Sequence, residues 1–315
     1  MLAQFVTDRI AATRAPAATV GRRRSFRALR TLRRLLLAVH DPLVQYTLCG
    51  TRIAMPLSHD LPLIRCSHPE YGVNLGRLAG HVGRAYPGAS MIDVGANVGD
   101  SVAIVRSASS MPVLCIEGDP AYAAILRRNL AVLPGVEMAQ QFVGESGGEI
   151  AATVDRAGGT GVISRQRGSP GGGLRMATLE RILEGAPRYR DAKLLKIDTD
   201  GFDAAVLRGS REHLRRARPV VFFEDDPALL ARAGDAPDAA FAELRSAGYR
   251  GAVVYDRYGN LVACPDVADA AVLGDLHAYC ASPEGPRYFD VAAFHRDDDA
   301  LWRSFCESER ARRRI

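Results

Sequence analysis

One stretch of this 315-residue sequence combines side chains whose types and spacing could bind a ligand: Met91-Ile-Asp-Val-Gly-Ala-Asn-Val-Gly-Asp100. Its apolar start predicts the end of a buried strand, and the apolar spacing after it predicts a helix. Glycines between a strand and a helix let the backbone approach a ligand, and the helix start offers unpaired N–H groups. The sequence therefore predicts a nucleotide-type cradle whose candidate binding residues are Asp93, Gly95, Asn97 and Gly99.

Two acids favour S-adenosylmethionine (SAM) over a dinucleotide in this cradle. Asp93 stands two residues before Gly95, where a carboxylate would face a cationic ligand and would repel a pyrophosphate. Glu117 ends a second apolar segment, and an acid there can accept hydrogen bonds from both ribose hydroxyls. The alternative is that Asp93 caps the turn and Glu117 starts the next helix.

A second stretch, Ala192 to Asp203, predicts a buried strand followed by three acids and a glycine turn. Asp198 ends that strand at the carboxyl edge, where open α/β sheets bind ligands, so it could orient the donor's ammonium or deprotonate an acceptor. Asp200 precedes a helix, and we expect it to be the N-cap rather than a catalytic group. Glu224 ends the next strand and could contact the acceptor or make a structural hydrogen bond. These three carboxylates could ligate a hard divalent ion, although spacing alone does not favour a metal.

The elements around both stretches predict an α/β fold. Strands and helices alternate from residue 90 onward, which indicates a mostly parallel sheet with helices on both faces. We predict a basic tail and amphipathic helix over 1–40, a cap segment over 41–89, a SAM-binding domain over 90–296 and a C-terminal helix over 297–315. Within the cap, His59 and His68 are candidate substrate contacts, although a lone histidine is more often structural. The glycine-rich residues 157–173 predict a hairpin that is either a lid or a solvated connection.

Local patterns give further expectations about individual segments. Residues 1–20 lack a strong period and predict a loose segment, and residues 55–65 predict a proline-punctuated extended chain. Residues 136–143 predict one strand, and residues 204–217 predict one helix.

Charge is distributed unevenly along the chain. Residues 1–40 carry nine arginines and one aspartate, which leaves 32 basic and 35 acidic residues for the other 275. The near-neutral body argues against a nucleic-acid partner. The helix predicted over 21–40 could lie on an anionic membrane, but we favour docking on the body through its leucines. No apolar run approaches the ~20 residues of a membrane span, and six scattered cysteines predict reduced thiols and a cytoplasmic protein.

Five motifs in order carry a family resemblance: Ile92 to Asp100, Cys115 to Pro120, Ala177 to Glu180, Leu194 to Gly209, and Arg218 to Glu224. Together they resemble the FkbM-type SAM-dependent methyltransferases, a class I Rossmann-like fold. The resemblance implies a seven-stranded sheet and O-methylation of a hydroxyl on a sugar or secondary metabolite. It also implies donor binding by the glycine turn and Glu117, with Asp119 near the adenine. Gln141 and Phe142, at the end of the third predicted strand, could flank the adenine edge.

One departure from the family pattern concerns the acids of the second stretch. Thr199-Asp200 stands where the family commonly has valine-glutamate, which shortens the acid by one methylene. Two other classes stay open: an NAD(P)- or nucleotide-sugar-binding Rossmann oxidoreductase, and a nucleic-acid methyltransferase or binding module that uses the basic N-terminal helix.

Overall fold

The computed structural model describes residues 1–13, 20–165 and 173–312. An N-terminal layer comes first, and its elements are α1 (Leu2–Ala12), α2 (Val20–Leu37), the antiparallel pair β1 (Leu43–Leu48) and β2 (Thr51–Pro56), α3 (Leu61–Ser67) and α4 (Val73–Ala85). Apolar residues of α2 at positions 26, 29, 32 and 36 pack against Val6 and Ile10 of α1. The favoured interpretation, docking of this helix on the body through its apolar face, is therefore confirmed.

The central sheet has eight strands, which are β3 (Met91–Val94), β4 (Val113–Ile116), β5 (Val136–Ala139), β10 (Leu194–Ile197), β11 (Val220–Asp225), β12 (Tyr249–Asp256), β13 (Leu261–Ala263) and β14 (Phe289–His295). Their spatial order is β13-β12-β14-β11-β10-β3-β4-β5. The five strands from β11 to β5 are parallel, and the three at the other edge pair antiparallel. The predicted α/β class with a mostly parallel sheet is confirmed, with one strand more than the seven expected.

A smaller four-stranded sheet lies beside the central one, and it contains β6 (Phe142–Val143), β7 (Gly148–Ala157), β8 (Thr160–Arg165) and β9 (Gly173–Ala177) in the order β6-β9-β7-β8. Strands β7 and β8 form an antiparallel hairpin whose tip is Gly158-Gly159. The hairpin predicted from the glycine-rich segment is therefore present. Residues 166–172 lie outside the described residues.

Helices cover both faces of the central sheet because alternate residues of its strands point to opposite sides. One apolar cluster joins residues of the N-terminal layer to one face, and the other cluster fills the opposite face. The remaining helices are α5 (Asp100–Arg106), α6 (Pro120–Asn129), α7 (Leu179–Glu184), α8 (Asp203–Arg208), α9 (Arg211–Ala217), α10 (Pro227–Ala233), α11 (Ala239–Ser246), α12 (Ala270–Cys280) and α13 (Asp299–Arg312). Short 3-10 turns occupy Leu130–Val132, Pro187–Tyr189 and Arg296–Asp298.

Four local expectations were wrong. Residues 2–12 form a docked helix rather than a loose segment, because Val6 and Ile10 bury a face that only tertiary packing reveals. Residues 61–67 are helical, since a proline is tolerated in the first turn of a helix. The strand expected over 136–143 divides between two sheets, and the helix expected over 204–217 is interrupted between α8 and α9.

In the part of the chain that the structure describes, no helix is long and apolar enough to span a bilayer.

Candidate active site

The glycine turn joins β3 to α5 through three residues with positive φ: Gly95 at 76°, Asn97 at 48° and Gly99 at 87°. A Cβ on Gly95 would lie 1.9 Å from the carbonyl oxygen of Asp198, so only glycine lets the turn pass the end of β10. A Cβ on Gly99 would lie 2.9 Å from a methyl carbon of Leu126. The glycines are thus required by the chain's own packing, and Gly95 and Asn97 also line a cavity at this sheet edge.

Glu117, directly after β4, forms the floor of the cavity next to the turn. Its two carboxylate oxygens accept the backbone N–H groups of Asn97 at 2.8 Å and of Asp119 at 2.7 Å. Burial raises the pKa of Glu117 to about 7. A carboxylate with both oxygens fixed by N–H donors, and with lone pairs to spare, suits a ligand that brings its own hydroxyl donors or positive charge.

Asp119 is the N-cap of α6 and also anchors the β7–β8 hairpin. Its carboxylate accepts the N–H of Ala121 at 2.8 Å and pairs with both Nε and Nη2 of Arg156 on β7, at 2.5 and 2.8 Å. The side chain of Arg156 is 48% exposed, so solvent weakens this ion pair. Asp119 therefore both lines the cavity and holds the hairpin through Arg156.

The tip of the hairpin closes over the cavity. The carbonyl of Gly158 accepts the backbone N–H of Asp60 at 2.8 Å, and the carbonyl of Gly159 accepts Nδ2 of Asn97 at 2.6 Å. The hairpin therefore bridges the glycine turn and the N-terminal layer. Of the two interpretations of residues 157–173, the contacts at 158–161 support the lid, whereas residues 166–172 lie outside the described residues.

Gln141 and Phe142 also line the cavity. The ring of Phe142 lies against Gly118, where a Cβ would approach ring carbons to 2.2 Å. Gln141 donates its side-chain N–H to the carbonyl of Arg175 at 2.6 Å. The cavity thus has a flat aromatic surface next to Gly118, on which a planar ring can stack.

A buried lysine occupies the centre of the site. Lys196 of β10 is the register partner of Asp93 on β3, and its Nζ lies 3.2 Å from Oδ1 of Asp93 and 3.2 Å from Oδ2 of Asp198. Burial alone favours the neutral amine, but the charges of Asp198 and Asp93 raise the pKa of Lys196 well above its usual value. The ammonium therefore stays charged and holds Asp198 in place.

Asp93 stands apart from the cavity that the sequence expected it to face. Its side chain is fully buried and binds Lys196 and the hydroxyl of Ser101. It is not among the residues that line the cavity, whereas both of its partners, Lys196 and Ser101, are. The side chain of Asp198, 44% exposed, lines the cavity directly.

Asp200 is not the N-cap of the following helix, which was the favoured expectation. Phe202 occupies the cap position of α8, and Asp203 accepts the N–H of Gly201 at 3.3 Å and the hydroxyl of Thr199 at 3.1 Å. Asp200 instead has φ of 50° and lines the cavity, where burial, followed by the charge of Asp198, raises its pKa to about 7. A strained acid with an elevated pKa is typical of a functional position.

Glu224 lies behind this wall rather than in it. It is half-buried, is not a lining residue, and its pKa is raised by burial and by the charges of Asp198 and Asp200. In residues 1–13, 20–165 and 173–312, no three His, Cys, Asp or Glu side chains are grouped so that they could hold a metal ion. The trio of Asp198, Asp200 and Glu224 is therefore not such a group.

The N-terminal layer supplies the opposite wall of the cavity. His59 lines it, is almost fully buried, and has a pKa lowered to about 4 because burial disfavours its charged form. His68 does not line it and stacks on Tyr258 with ring centroids 3.6 Å apart. Asn74 lines the cavity and donates to Asp290 of β14 at 2.9 Å.

Sequence reasoning missed several residues of the site: Lys196, Asp100, Tyr71, Asn74, Asp290 and the hairpin tip at 158–161. A charged residue inside the all-buried strand β10 was a readable signal for Lys196. Asp290 carried no comparable signal. It stands near the start of β14, and it reaches the carboxyl edge of the parallel strands because β14 runs antiparallel to β11, which the sequence does not show.

The strand order, the glycine turn and the acid after β4 define an open α/β fold of the Rossmann-like class, with its cavity at the carboxyl ends of the parallel strands. A family model described as the methyltransferase FkbM domain matches residues 93–250. The chain belongs to this family of methyltransferases.

Solved structures give weaker similarity. Methyltransferase FkbM from Methylobacillus flagellatus KT is 15% identical with a TM-score of 0.41, over 66% of this chain and 43% of that one. The O-methyltransferase from Bacillus cereus in complex with SAH is 12% identical with a TM-score of 0.38, over 73% of this chain and 82% of that one. This chain thus spans less than half of the Methylobacillus protein, and similarity of this degree assigns no substrate. No curated protein matches the chain significantly.

Proposed function

We propose that the protein is a SAM-dependent O-methyltransferase that acts on a hydroxyl of a sugar or secondary metabolite. The observation that carries this proposal is that Asp198 and Asp200 share one cavity with the glycine turn and Glu117. The residues that we assign to the donor and these two acids thereby line a single space. Family membership supports methyl transfer, and the acidic wall supports an oxygen acceptor that must lose a proton.

The residues present fit SAM. The amide oxygen of Asn97 is buried without a hydrogen-bond partner, Glu117 offers two ordered oxygens, and Phe142 offers a flat apolar surface. Bound there, SAM would supply an electrophilic methyl group on a positively charged sulfur. Glu117 would bind the ribose, Gln141 and Phe142 would flank the adenine, and Asp198 would bind the ammonium.

Asp200 is our candidate for receiving the acceptor's proton. Its pKa of about 7 lets it be ionised at neutral pH while retaining affinity for a proton. Lys196 holds the neighbouring Asp198 by an ion pair, which fixes the acidic wall without occupying Asp200. Glu224 lies behind this wall, where burial and the charges of both aspartates raise its pKa well above the usual value and favour its neutral form. His59 and Asn74 would contact the acceptor from the opposite wall.

Transfer of a labelled methyl group tests this proposal. We expect label from SAM to appear on an acceptor among glycosides, polyketides and small alcohols, and we expect Asp198→Asn and Asp200→Asn each to lower kcat/KM by about 10²-fold or more. Asp191→Asn, at an 86% exposed site, is the matched control and should retain activity. Full transfer by both site variants would remove the assigned roles, and binding of NAD in place of SAM would favour the oxidoreductase alternative.

A further inference from the structure

Exposed large apolar side chains are concentrated in the N-terminal layer. Six of the nine found in the described ranges lie within residues 1–43, and they include Phe5 at 53%, Leu35 at 63% and Val39 at 88% exposure. Their exposure does not reflect poor packing of the N-terminal layer. Val6 and Ile10 of α1 are fully buried against the opposite face of α2.

The apolar positions on α1 and β1 lie at one edge of the layer. The side chain of Gln4 donates to the carbonyl of Gln45 at 2.9 Å and accepts the N–H of Gln45 at 2.8 Å. This double hydrogen bond places the first turn of α1, which carries the exposed Leu2 and Phe5, beside β1, whose Leu43 is 45% exposed.

Exposed arginines accompany these apolar side chains. Arg27, Arg30 and Arg34 are exposed and, at helical spacing, share the outward face of α2. Arg33, on the inward side, instead pairs with Asp60 at 2.8 Å. On α1, the guanidinium of Arg9 lies 5.8 Å from the ring centre of Phe5. Residues 1–40 contain nine arginines and one aspartate.

We propose that this surface, formed by the outward faces of α1 and α2 with residues 38–43, docks on an anionic phospholipid bilayer. Apolar side chains next to arginines match the boundary between acyl chains and negatively charged headgroups. RNA would be attracted by the arginines but gives aliphatic side chains nothing to bury against. A second copy of this chain would present the same positive charge and would be repelled.

The proposed membrane surface is joined to the cavity through one side chain. Arg33 donates to the carbonyls of Leu57 and Ser58, at 2.8 and 2.6 Å, and to the carboxylate of Asp60. The neighbouring His59 lines the cavity, and the N–H of Asp60 binds the hairpin tip. The helix that carries the proposed membrane surface is therefore hydrogen-bonded to the segment that supplies His59 to the cavity wall.

Vesicle flotation with the full chain tests the proposal. We expect flotation with phosphatidylcholine vesicles that contain 30% phosphatidylglycerol, and little with phosphatidylcholine alone. Replacing the three outward arginines by glutamine should weaken partitioning by about 10²-fold, which is about 3 kcal/mol at 1.4 kcal/mol per tenfold. A control with the same change in net charge, at exposed arginines of other elements, should partition like the wild type: Arg128→Gln/Arg215→Gln/Arg232→Gln.

An apolar variant separates docking from simple charge attraction. Phe5→Ser/Leu35→Ser keeps every charge, and we expect it to lower partitioning by about tenfold while circular dichroism and SAM affinity stay unchanged. The proposal is overturned if the wild type ignores anionic vesicles, if the control triple loses as much as the outward triple, or if salt-dependent RNA binding occurs without vesicle binding. SAM affinity, measured on each variant by calorimetry, keeps this outcome distinct from failure of the proposed catalytic function.

Discussion

Replacing Lys196 by methionine should expose the electrostatic design of the site. Methionine has a similar length and fills the space, so no cavity forms, but the ammonium that faces the fully buried carboxylate of Asp93 is lost. Ser101 remains as a neutral donor to Asp93. Removing one partner of a buried ion pair costs about 3–5 kcal/mol, because the other charge stays buried without compensation. We expect Lys196→Met to lower the free energy of unfolding by that amount.

Urea unfolding of a double-mutant cycle tests the cause of this loss. Asp93→Asn in the Lys196→Met background removes the stranded charge, so the double variant should recover about 2 kcal/mol or more relative to the sum of the single changes. Lys193→Met is the matched control: its amino group donates to the carbonyl of Ala217 and lies over the face of Tyr86, with no carboxylate paired to it in the described residues, so about 1 kcal/mol is expected. Additive losses in the cycle, to within about 0.5 kcal/mol, would refute the buried pair as the organising contact.

Three further predictions concern the cavity. Burial raises the pKa of Asp200 from 3.8 to about 7, so the folded state loses stability as pH rises through that window. We expect Asp200→Asn to be more stable than the wild type at pH 8, on the order of 2 kcal/mol, and equally stable near pH 3. Thermal unfolding measured across this pH range checks the difference. Arg156→Gln frees the hairpin from Asp119 and should weaken SAM binding by about three- to tenfold in calorimetry, an effect limited by the exposure of the arginine. A Cβ in Gly118→Ala must displace the ring of Phe142, so SAM affinity should fall by about tenfold or more, and an unchanged affinity would remove that ring from the adenine site.

The cradle could be predicted from the sequence because its signals are local. A glycine turn after apolar residues, and an acid after the next apolar segment, fix the relation of Gly95, Asn97 and Glu117, and the structure places all three at one cavity. The favoured docking of α2 was likewise readable from the spacing of its apolar residues.

Contacts between segments that are distant along the chain could not be predicted from the sequence. The acid at position 93 was visible within its motif, but its partner Lys196 lies 103 positions later in the chain. The two side chains are brought together by the register of β3 and β10. The expectation that Asp200 is an N-cap was wrong: an acid before a helix is often the cap, whereas here Phe202 takes that position. Closure by the hairpin depends on carbonyl groups at its tip, which carry no side-chain signature.

Calorimetric titration of the wild-type protein with SAM, its demethylated product and NAD tests the central claim most directly, namely that the acid-lined cavity exists to bind a positively charged methyl donor. We expect both SAM and its product to bind, and NAD not to bind, because a pyrophosphate at the glycine turn would share the cavity with the carboxylates of Asp198 and Asp200. Tight binding of NAD, or no heat from SAM, would contradict the claim.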